Sequence, residues 1–257
     1  MNPRSDLQIP KNGLPASRSQ ADKWTEAVRA RLPGWINDNV RPLLQDALRR
    51  DHLDAEITID GGNLLINYDP LKHGTEYVSS SVILEFGARS TGEPHQNMPI
   101  TCDMAPHLPK LSFPWAQPLV MAIGRTFWEK ATAAHVYCEQ GRLRADRFAR
   151  HWYDLTAIAR SPHFANILGD RSLATDVANH KNMFFRENDR HGRRIDYVAA
   201  TSGHLNIVPE DAAYTALEDD YRLMIQAGLL PEDNTPSFSE IMTACGEFEK
   251  AANSGKL

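Results

Sequence analysis

The sequence predicts an α+β protein in which a small mixed sheet precedes a larger helical region. Three observations support this prediction. Alternating apolar residues separated by turn residues fall within 56–89, which is typical of strands. Six prolines interrupt residues 90–120, and after them apolar residues recur mostly at three- and four-residue spacing. We therefore predict an α/β domain at 1–118 and a helical domain at 119–257.

Residues 1–18 contain three prolines and few apolar side chains, so we expect an irregular lead-in. A helix is predicted from Ser19 to about Arg50, because apolar residues recur there at helical spacing. Pro33 and Pro42 are expected to kink or split this helix, since proline lacks the amide hydrogen that a helix needs.

A hairpin is predicted next, with strands at 56–59 and 64–68 joined by the turn residues Asp60 to Asn63. Its Gly61-Gly62 pair could also be taken for a phosphate-binding loop. A tight turn is the favoured interpretation, because no Lys or Ser/Thr pattern follows the glycines.

The clearest single strand is predicted from Val82 to Arg89. One face carries Val82, Leu84, Phe86 and Ala88, and the other carries Ile83, Glu85, Gly87 and Arg89. Glu85 and Arg89 on one face are either a simple ion pair or, beside a phosphoryl-transfer site, metal-directed and phosphate-directed groups.

Beyond the proline-rich segment, helices are predicted at about 122–140, 145–160, 171–185, 210–228 and 237–252. The last of them starts with Ser237-Phe238-Ser239-Glu240. This is the form of a capping box, in which serine and glutamate satisfy each other's backbone amides.

The composition and net charge of the chain restrict the kinds of function that it can have. The chain has 257 residues, 42% hydrophobic content and a formal net charge of −5, so a nucleic-acid partner would need a local basic patch. No apolar run is long enough for a membrane span, and the first residues lack the apolar segment of a signal peptide. Three scattered cysteines favour a reducing cytoplasm over a disulfide or zinc framework.

The most informative stretch runs from Arg125 to Leu155 and is predicted to form two amphipathic helices. Lys130 projects from the first helix, and Asp154 lies in a row with Arg147 and His151 on the second, at i, i+4 and i+7. An ammonium and a carboxylate from neighbouring helices suit an anionic substrate. By spacing alone, ordinary packing helices with solvated edges are the favoured interpretation.

Six sequence blocks favour a functional role for Lys130 and Asp154 over ordinary packing helices. In chain order they are ILEFGARS at 83–90, FWEKA at 127–131 followed by a His, RHWYDL at 150–155, HKNMFFR at 180–186, GHLNIVP at 203–209 and PSFSEIM at 236–242. In order and spacing they resemble the AbiEii/AbiGii-type nucleotidyltransferase toxins of toxin–antitoxin systems. The resemblance covers most of the chain from about Ser17 onward.

The resemblance implies a small mixed nucleotidyltransferase domain followed by a helical domain, with the active site between them. It implies transfer of a nucleotide from an NTP, with Mg²⁺, to an acceptor such as tRNA, and a winged-helix-type antitoxin as partner. Lys130 would contact the triphosphate and Asp154 would activate or position the acceptor, while Glu85 would supply a further acid or metal ligand. The implied phosphate-binding residues are Arg89, Arg125, Arg147, His151, Lys181 and Arg186.

One part of the family pattern is missing from the sequence. The family begins with a Gly-Gly or Gly-Ser loop and an Asp-x-Asp pair, and two-metal transfer needs those carboxylates. Gly61-Gly62 lies in the hairpin, Asp69 has no second aspartate two residues away, and Asp6 and Asp22 stand alone. We therefore expect the paired motif upstream of Met1.

Two hypotheses follow from this departure. The first is a nucleotidyltransferase toxin that is truncated or degenerate here. The second is a catalytically inactive protein that binds a nucleotide, RNA or the antitoxin. An α-rich interaction domain with unrelated chemistry ranks below both.

Overall fold

The structure is a computed structural model that describes residues 15–71, 79–87, 92–142, 147–230 and 235–254. In chain order its α-helices are α1 (Arg18–Trp35), α2 (Arg41–Arg50), α3 (Ile123–Gln140), α4 (Arg150–Ala159), α5 (Phe164–Gly169), α6 (Arg171–Phe184), α7 (Tyr197–Thr201), α8 (Asp211–Gln226) and α9 (Phe238–Ser254). Its strands are β1 (Glu56–Asp60), β2 (Asn63–Asn67), β3 (Ser81–Glu85), β4 (His95–Asn97), β5 (Ile100–Thr101), β6 (Trp115–Ala116) and β7 (Leu119–Met121). The predicted α+β class is confirmed.

The first helix is interrupted just before Pro42, as predicted, but not at Pro33, which lies inside α1. Helix α1 begins after Ser17, whose side chain accepts a hydrogen bond from the amide of Gln20, and it contains Pro33. A π-helical turn at Ile36–Val40 joins α1 to α2. Pro42 lies in the first turn of α2, where a missing amide hydrogen costs no helical hydrogen bond. Most of the predicted lead-in, residues 1–14, lies outside the described residues.

Strands β1, β2 and β3 form an antiparallel sheet in that order. The predicted hairpin is confirmed, because Asp60 pairs with Asn63 across the Gly61-Gly62 turn. A side chain at Gly62 would lie 3.0 Å from the carbonyl oxygen of Phe86. This close approach of the two backbones explains a glycine at that position.

One face of this sheet packs against α1, the π-helical turn and α2. Its core consists of Val28, Leu32, Ile36, Ile57 and Leu64, with Leu84 and Phe86 packed at its margin. One expectation for the third strand was wrong. Strand β3 ends at Glu85, Phe86 and Gly87 lie beyond it, and Ala88 and Arg89 lie outside the described residues.

The proline-rich segment forms a narrow antiparallel ribbon instead of an irregular loop. Strand β4 pairs with β7, and β5 pairs with β6. The amide of Met98 donates to the carbonyl of Pro118, which joins the two short ladders. At the base of the ribbon, the amide of Ala122 donates to the carbonyl of Pro94. Helix α3 begins at the next residue, Ile123.

The main core lies among the helices after residue 122. Phe127, Trp128, Trp152 and Leu155 are fully buried there, together with residues of α8 and α9. The predicted capping box is confirmed, because the Ser237 amide donates to the Glu240 carboxylate and the Glu240 amide donates to Ser237 Oγ. The short helices α5 and α7 were not predicted.

The predicted start of the second motif helix was wrong. Helix α4 begins at Arg150, and Arg147 lies before it with a left-handed φ of 62°. The reason is Asp220 of α8, whose buried carboxylate accepts hydrogen bonds from the amides of Arg147 and Ala149, both at 2.8 Å. Arg147 therefore does not share a helical row with His151 and Asp154.

The N-terminal region contacts the helical region through α1 and α6. The rings of Trp24 and Phe184 stack with centroids 6.4 Å apart and planes 10° from parallel. Beside them the guanidinium of Arg186 pairs with Asp22. Through these contacts the first helix is anchored beside the end of α6, which also supplies Lys181.

Candidate functional site

Helices α3 and α4 bring Lys130 and Asp154 together. The helices pack through rings such as Tyr137 and Trp152, whose centroids are 5.2 Å apart. Lys130 Nζ lies 2.7 Å from Asp154 Oδ2, and the two side chains are 22% and 40% exposed. Because this pair is reached by solvent, its net contribution to stability is small, about 1 kcal/mol or less. An incoming anion can therefore compete for the ammonium at little cost.

Beside this pair, Glu129 holds several basic groups. Its carboxylate lies 2.6 Å from Lys181 Nζ, 3.1 Å from Arg125 and 3.9 Å from His180 Nδ1. Burial acts to raise the pKa of Glu129, but the nearby charges of Lys181, Arg125 and His180 outweigh it and hold that pKa below its ordinary value. Glu129 is therefore an ionised anchor for the basic residues around it.

Glu129 was not among the residues singled out from the sequence. Two signals for it were present: it directly precedes Lys130 in FWEKA, and it follows Arg125 by four residues, which places both on one helical face. Its partner Lys181 lies on α6, about fifty residues away. That contact depends on tertiary packing and has no local sequence signal.

Arg125 and Lys181, both predicted phosphate contacts, are held firmly inside this cluster. Arg125 is buried, and its guanidinium also donates to the carbonyl of Glu93 at 2.6 Å. The ammonium of Lys181 lies 4.6 Å from the centre of the Phe185 ring, a distance at which the ring face attracts a cation. We define the anchor cluster as Glu129, Arg125, Lys181 and His180.

His151 lies close enough to Lys130 and Lys181 for both charges to act on its ring. Burial, together with the smaller effects of the charges of Lys130, Arg150 and Lys181, lowers its pKa to about 3. Its buried Nδ1 has no hydrogen-bond partner among the described residues. At neutral pH the ring is therefore uncharged, so it can offer a hydrogen bond to a phosphate but not a positive charge.

Stability is expected to fall as the pH drops from about 6.5 toward 4, partly because of His151. In this range the unfolded chain binds a proton on this residue that the folded chain excludes, so the free energy of unfolding rises with pH by up to about 1.4 kcal/mol per unit. His151→Gln should make the dependence shallower. Chemical denaturation of both proteins between pH 4 and 7 measures this, and equal slopes would contradict the assignment.

The other predicted site residues lie elsewhere. Glu85 is exposed at the end of β3, and its cross-strand neighbour is Asn63, not a member of the anchor cluster. Arg186 is paired with Asp22, and Arg147 lies in the turn before α4. Arg89 lies outside the described residues. Their proposed contacts with phosphate or metal remain predictions.

The described residues do not fit the implied magnesium ion. In the part of the chain that the structure covers, no three His, Cys, Asp or Glu side chains are grouped to hold a metal. Both carboxylates of the site are already paired with cations, Asp154 with Lys130 and Glu129 with Lys181 and Arg125. A divalent ion would have to displace those ammonium and guanidinium groups, so we derive no step through a metal from these residues.

Comparisons with known proteins identify one family. The family model for the nucleotidyl transferase AbiEii toxin of a type IV toxin–antitoxin system matches residues 6–244. Searches of curated proteins and of solved structures found no match. None of the helices in the described ranges combines the length and the apolar character needed to cross a membrane.

Proposed function

The chain belongs to the AbiEii family of nucleotidyl transferase toxins of type IV toxin–antitoxin systems, and from this premise we propose that the cleft around Lys130 and Asp154 binds the triphosphate of an NTP. The family resemblance drawn from the sequence blocks is thereby confirmed. We propose in addition that the acceptor is an RNA hydroxyl such as the 3′ end of tRNA.

The observation that carries the proposal is the difference between two neighbouring ion pairs. The Lys181–Glu129 pair is mostly buried, with side chains 12% and 19% exposed, whereas Asp154 of the other pair is 40% exposed. Breaking a buried pair is costly, while opening an exposed one is not. Lys130 is therefore the cation able to change partners, and the anchor cluster is the fixed support beside it.

This arrangement gives each side chain a role during binding. When a phosphate oxygen takes the ammonium of Lys130, the carboxylate of Asp154 loses its partner. A free carboxylate next to the bound phosphate can accept a hydrogen bond from an acceptor hydroxyl and orient it or take its proton. The neutral ring of His151 can add a hydrogen bond, and Arg150, exposed at the start of α4, adds positive charge at the rim.

The proposed partners follow from the family and from charge. A toxin of this class works beside an antitoxin, which we propose to be of the winged-helix type, and we place both in the cytoplasm. Since the chain carries a net charge of −5, tRNA would have to be bound by local basic groups. Arg147 and Arg150, at the entry to α4, are candidates for this contact.

A second candidate function is nucleotide binding without transfer. It is favoured by the pairing of both site carboxylates with cations, which leaves them unsuited to a magnesium ion. Nucleotide binding is common to both candidates. Labelled NTP incubated with Mg²⁺, tRNA and the purified chain separates them: labelled tRNA would establish transfer, whereas nucleotide bound without any labelled tRNA would establish binding alone.

Lys130→Ala is expected to weaken nucleotide binding by about ten- to a hundredfold, because it removes a charge-assisted hydrogen bond to phosphate worth roughly 1.5–3 kcal/mol. The variant should still fold, because the Lys130–Asp154 ion pair that it removes is partly exposed to solvent. Isothermal titration with ATP and GTP measures the affinity, and circular dichroism measures the fold.

Two further variants act as controls for this measurement. Lys250→Ala removes an exposed lysine from α9 and should leave affinity unchanged. Asp154→Ala should bind the nucleotide as tightly as the wild type or more tightly, because it removes the competitor for Lys130. An unfolded Lys130→Ala protein, or an affinity equal to that of the wild type, would refute the assigned role.

A further inference from the structure

The ribbon formed by residues 95–121, here called the apolar ribbon, belongs to none of the hydrophobic cores. None of its residues is buried, although all of them are described. Seven large apolar side chains on it are between 41% and 71% exposed: Met98, Ile100, Met104, Leu108, Leu111, Trp115 and Leu119. Such a density of exposed apolar groups on one element requires a physical explanation.

The register shows how these side chains are distributed. Asn97 faces Leu119 in one ladder, and Thr101 faces Trp115 in the next, so both ladders follow one continuous register. Because side chains alternate along a strand, Trp115 and Leu119 lie on one face of the ribbon. Met98 and Ile100 lie on the other face, and the tip carries the rest. The ribbon is thus apolar on both sides.

An element of this kind is poorly stable by itself. A two-stranded ribbon without a packing partner is at best marginally stable in water, and its unpaired edges invite pairing with another chain. Monomeric proteins rarely expose contiguous apolar patches of more than a few hundred Å². At 71% exposure Trp115 alone presents roughly 110–180 Å², and the six other apolar side chains add to it.

The small number of charged side chains on the apolar ribbon limits which kind of molecule can bind it. Between residues 95 and 121 the ionised side chains are one acid, Asp103, and one base, Lys110. A ribbon with no net charge has no means of holding the phosphates of a nucleic acid. It also does not repel a second ribbon of the same sequence, although the chain as a whole is acidic.

We propose that the apolar ribbon is a dimerisation element that packs against the same ribbon of a second copy of this chain. A stable interface engages about 20–30 residues a side, and the face with Trp115 and Leu119, together with the apolar tip, supplies an apolar centre for such a contact. Ribbon against ribbon about a twofold axis uses the same surface on both copies, so the assembly closes at two. The contact then covers the face that carries Trp115 and Leu119. This inference is independent of nucleotide binding.

The test is the oligomeric state of the full chain, measured by analytical ultracentrifugation over a range of about 1 to 100 µM. The wild type is expected to be a dimer. The double variant Trp115→Ser/Leu119→Ser should raise the dimer dissociation constant by about a hundredfold or more, because an aromatic anchor is lost from the centre of the contact. Leu43→Ser/Leu53→Ser is the matched control, since those leucines of the N-terminal region are 71% and 60% exposed, against 71% and 63% for the ribbon pair.

Hydrogen exchange of the wild type gives a second measurement that needs no variant. Amides of 95–101 and 115–121 should exchange more slowly at concentrations where the dimer forms, while amides of α2 should not change. A wild type that stays monomeric throughout, or a dimer that the control weakens as much as the ribbon variant, would overturn the proposal. If the ribbon variant fails to fold, the exchange pattern of the wild type decides.

Discussion

Replacing Trp152 with alanine is expected to lower the free energy of unfolding by about 3–5 kcal/mol, as for other large aromatic deletions in cores. The indole is fully buried among Tyr137 and Phe148. Its Nε1 also donates to the carbonyl oxygen of Ile207 at 2.6 Å, and the variant leaves that acceptor without its partner. Urea denaturation followed by circular dichroism measures the loss.

Trp152→Phe separates the two contributions. It keeps most of the apolar volume but removes the donor, so we expect a smaller loss, with about 1–3 kcal/mol of it from the unsatisfied carbonyl of Ile207. A loss below about 1 kcal/mol for the alanine variant would show that the helices close around the space, contrary to the packing described here.

Glu129→Ala is expected to cost a comparable amount, about 3–5 kcal/mol, because removing one member of a buried charge cluster strands the others. Lys181 and Arg125, 12% and 5% exposed, would be left without their carboxylate. Since the pKa of Glu129 is below its unfolded value, the stability it adds is complete above the unfolded pKa of about 4.3 and is lost as the pH falls through the folded pKa. The measurement is urea denaturation at neutral pH.

The double variant Glu129→Ala/Lys181→Ala tests whether stranded charge is the cause. Removing both partners should recover part of the stability lost in Glu129→Ala, and the double-mutant cycle should give a coupling of about 1 kcal/mol or more. Additive effects would mean that the Glu129–Lys181 contact at 2.6 Å contributes little, and the anchor cluster would lose its role as a fixed support.

Elements governed by short-range rules were predictable from the sequence. The hairpin at 56–67 follows from alternation around a Gly-Gly turn, and the start of α9 follows from the Ser237–Glu240 capping box. The split near Pro42 follows from a missing amide hydrogen. In each case the residues that decide the structure lie within a few positions of one another.

Features made by distant segments were not predictable in the same way. The convergence of Lys130 and Asp154 was expected from the family resemblance, but spacing alone favoured ordinary packing helices. The start of α4 depends on Asp220, about seventy residues later, and the anchor cluster depends on Lys181. The ribbon within residues 90–120 was not predicted, because the prolines indicated a loop and the sequence pattern does not show which residues pair across the ribbon.

The hydrogen bonds from Arg147 and Ala149 to Asp220 also have a consequence for the order of events during synthesis. A ribosome releases the chain from its N-terminus, so the first turn of α4 emerges well before the carboxylate that its amides require. Until α8 has left the exit tunnel, the amides of Arg147 and Ala149 lack the acceptor that they have in the folded chain. The start of α4 is therefore fixed only after most of the chain has been translated.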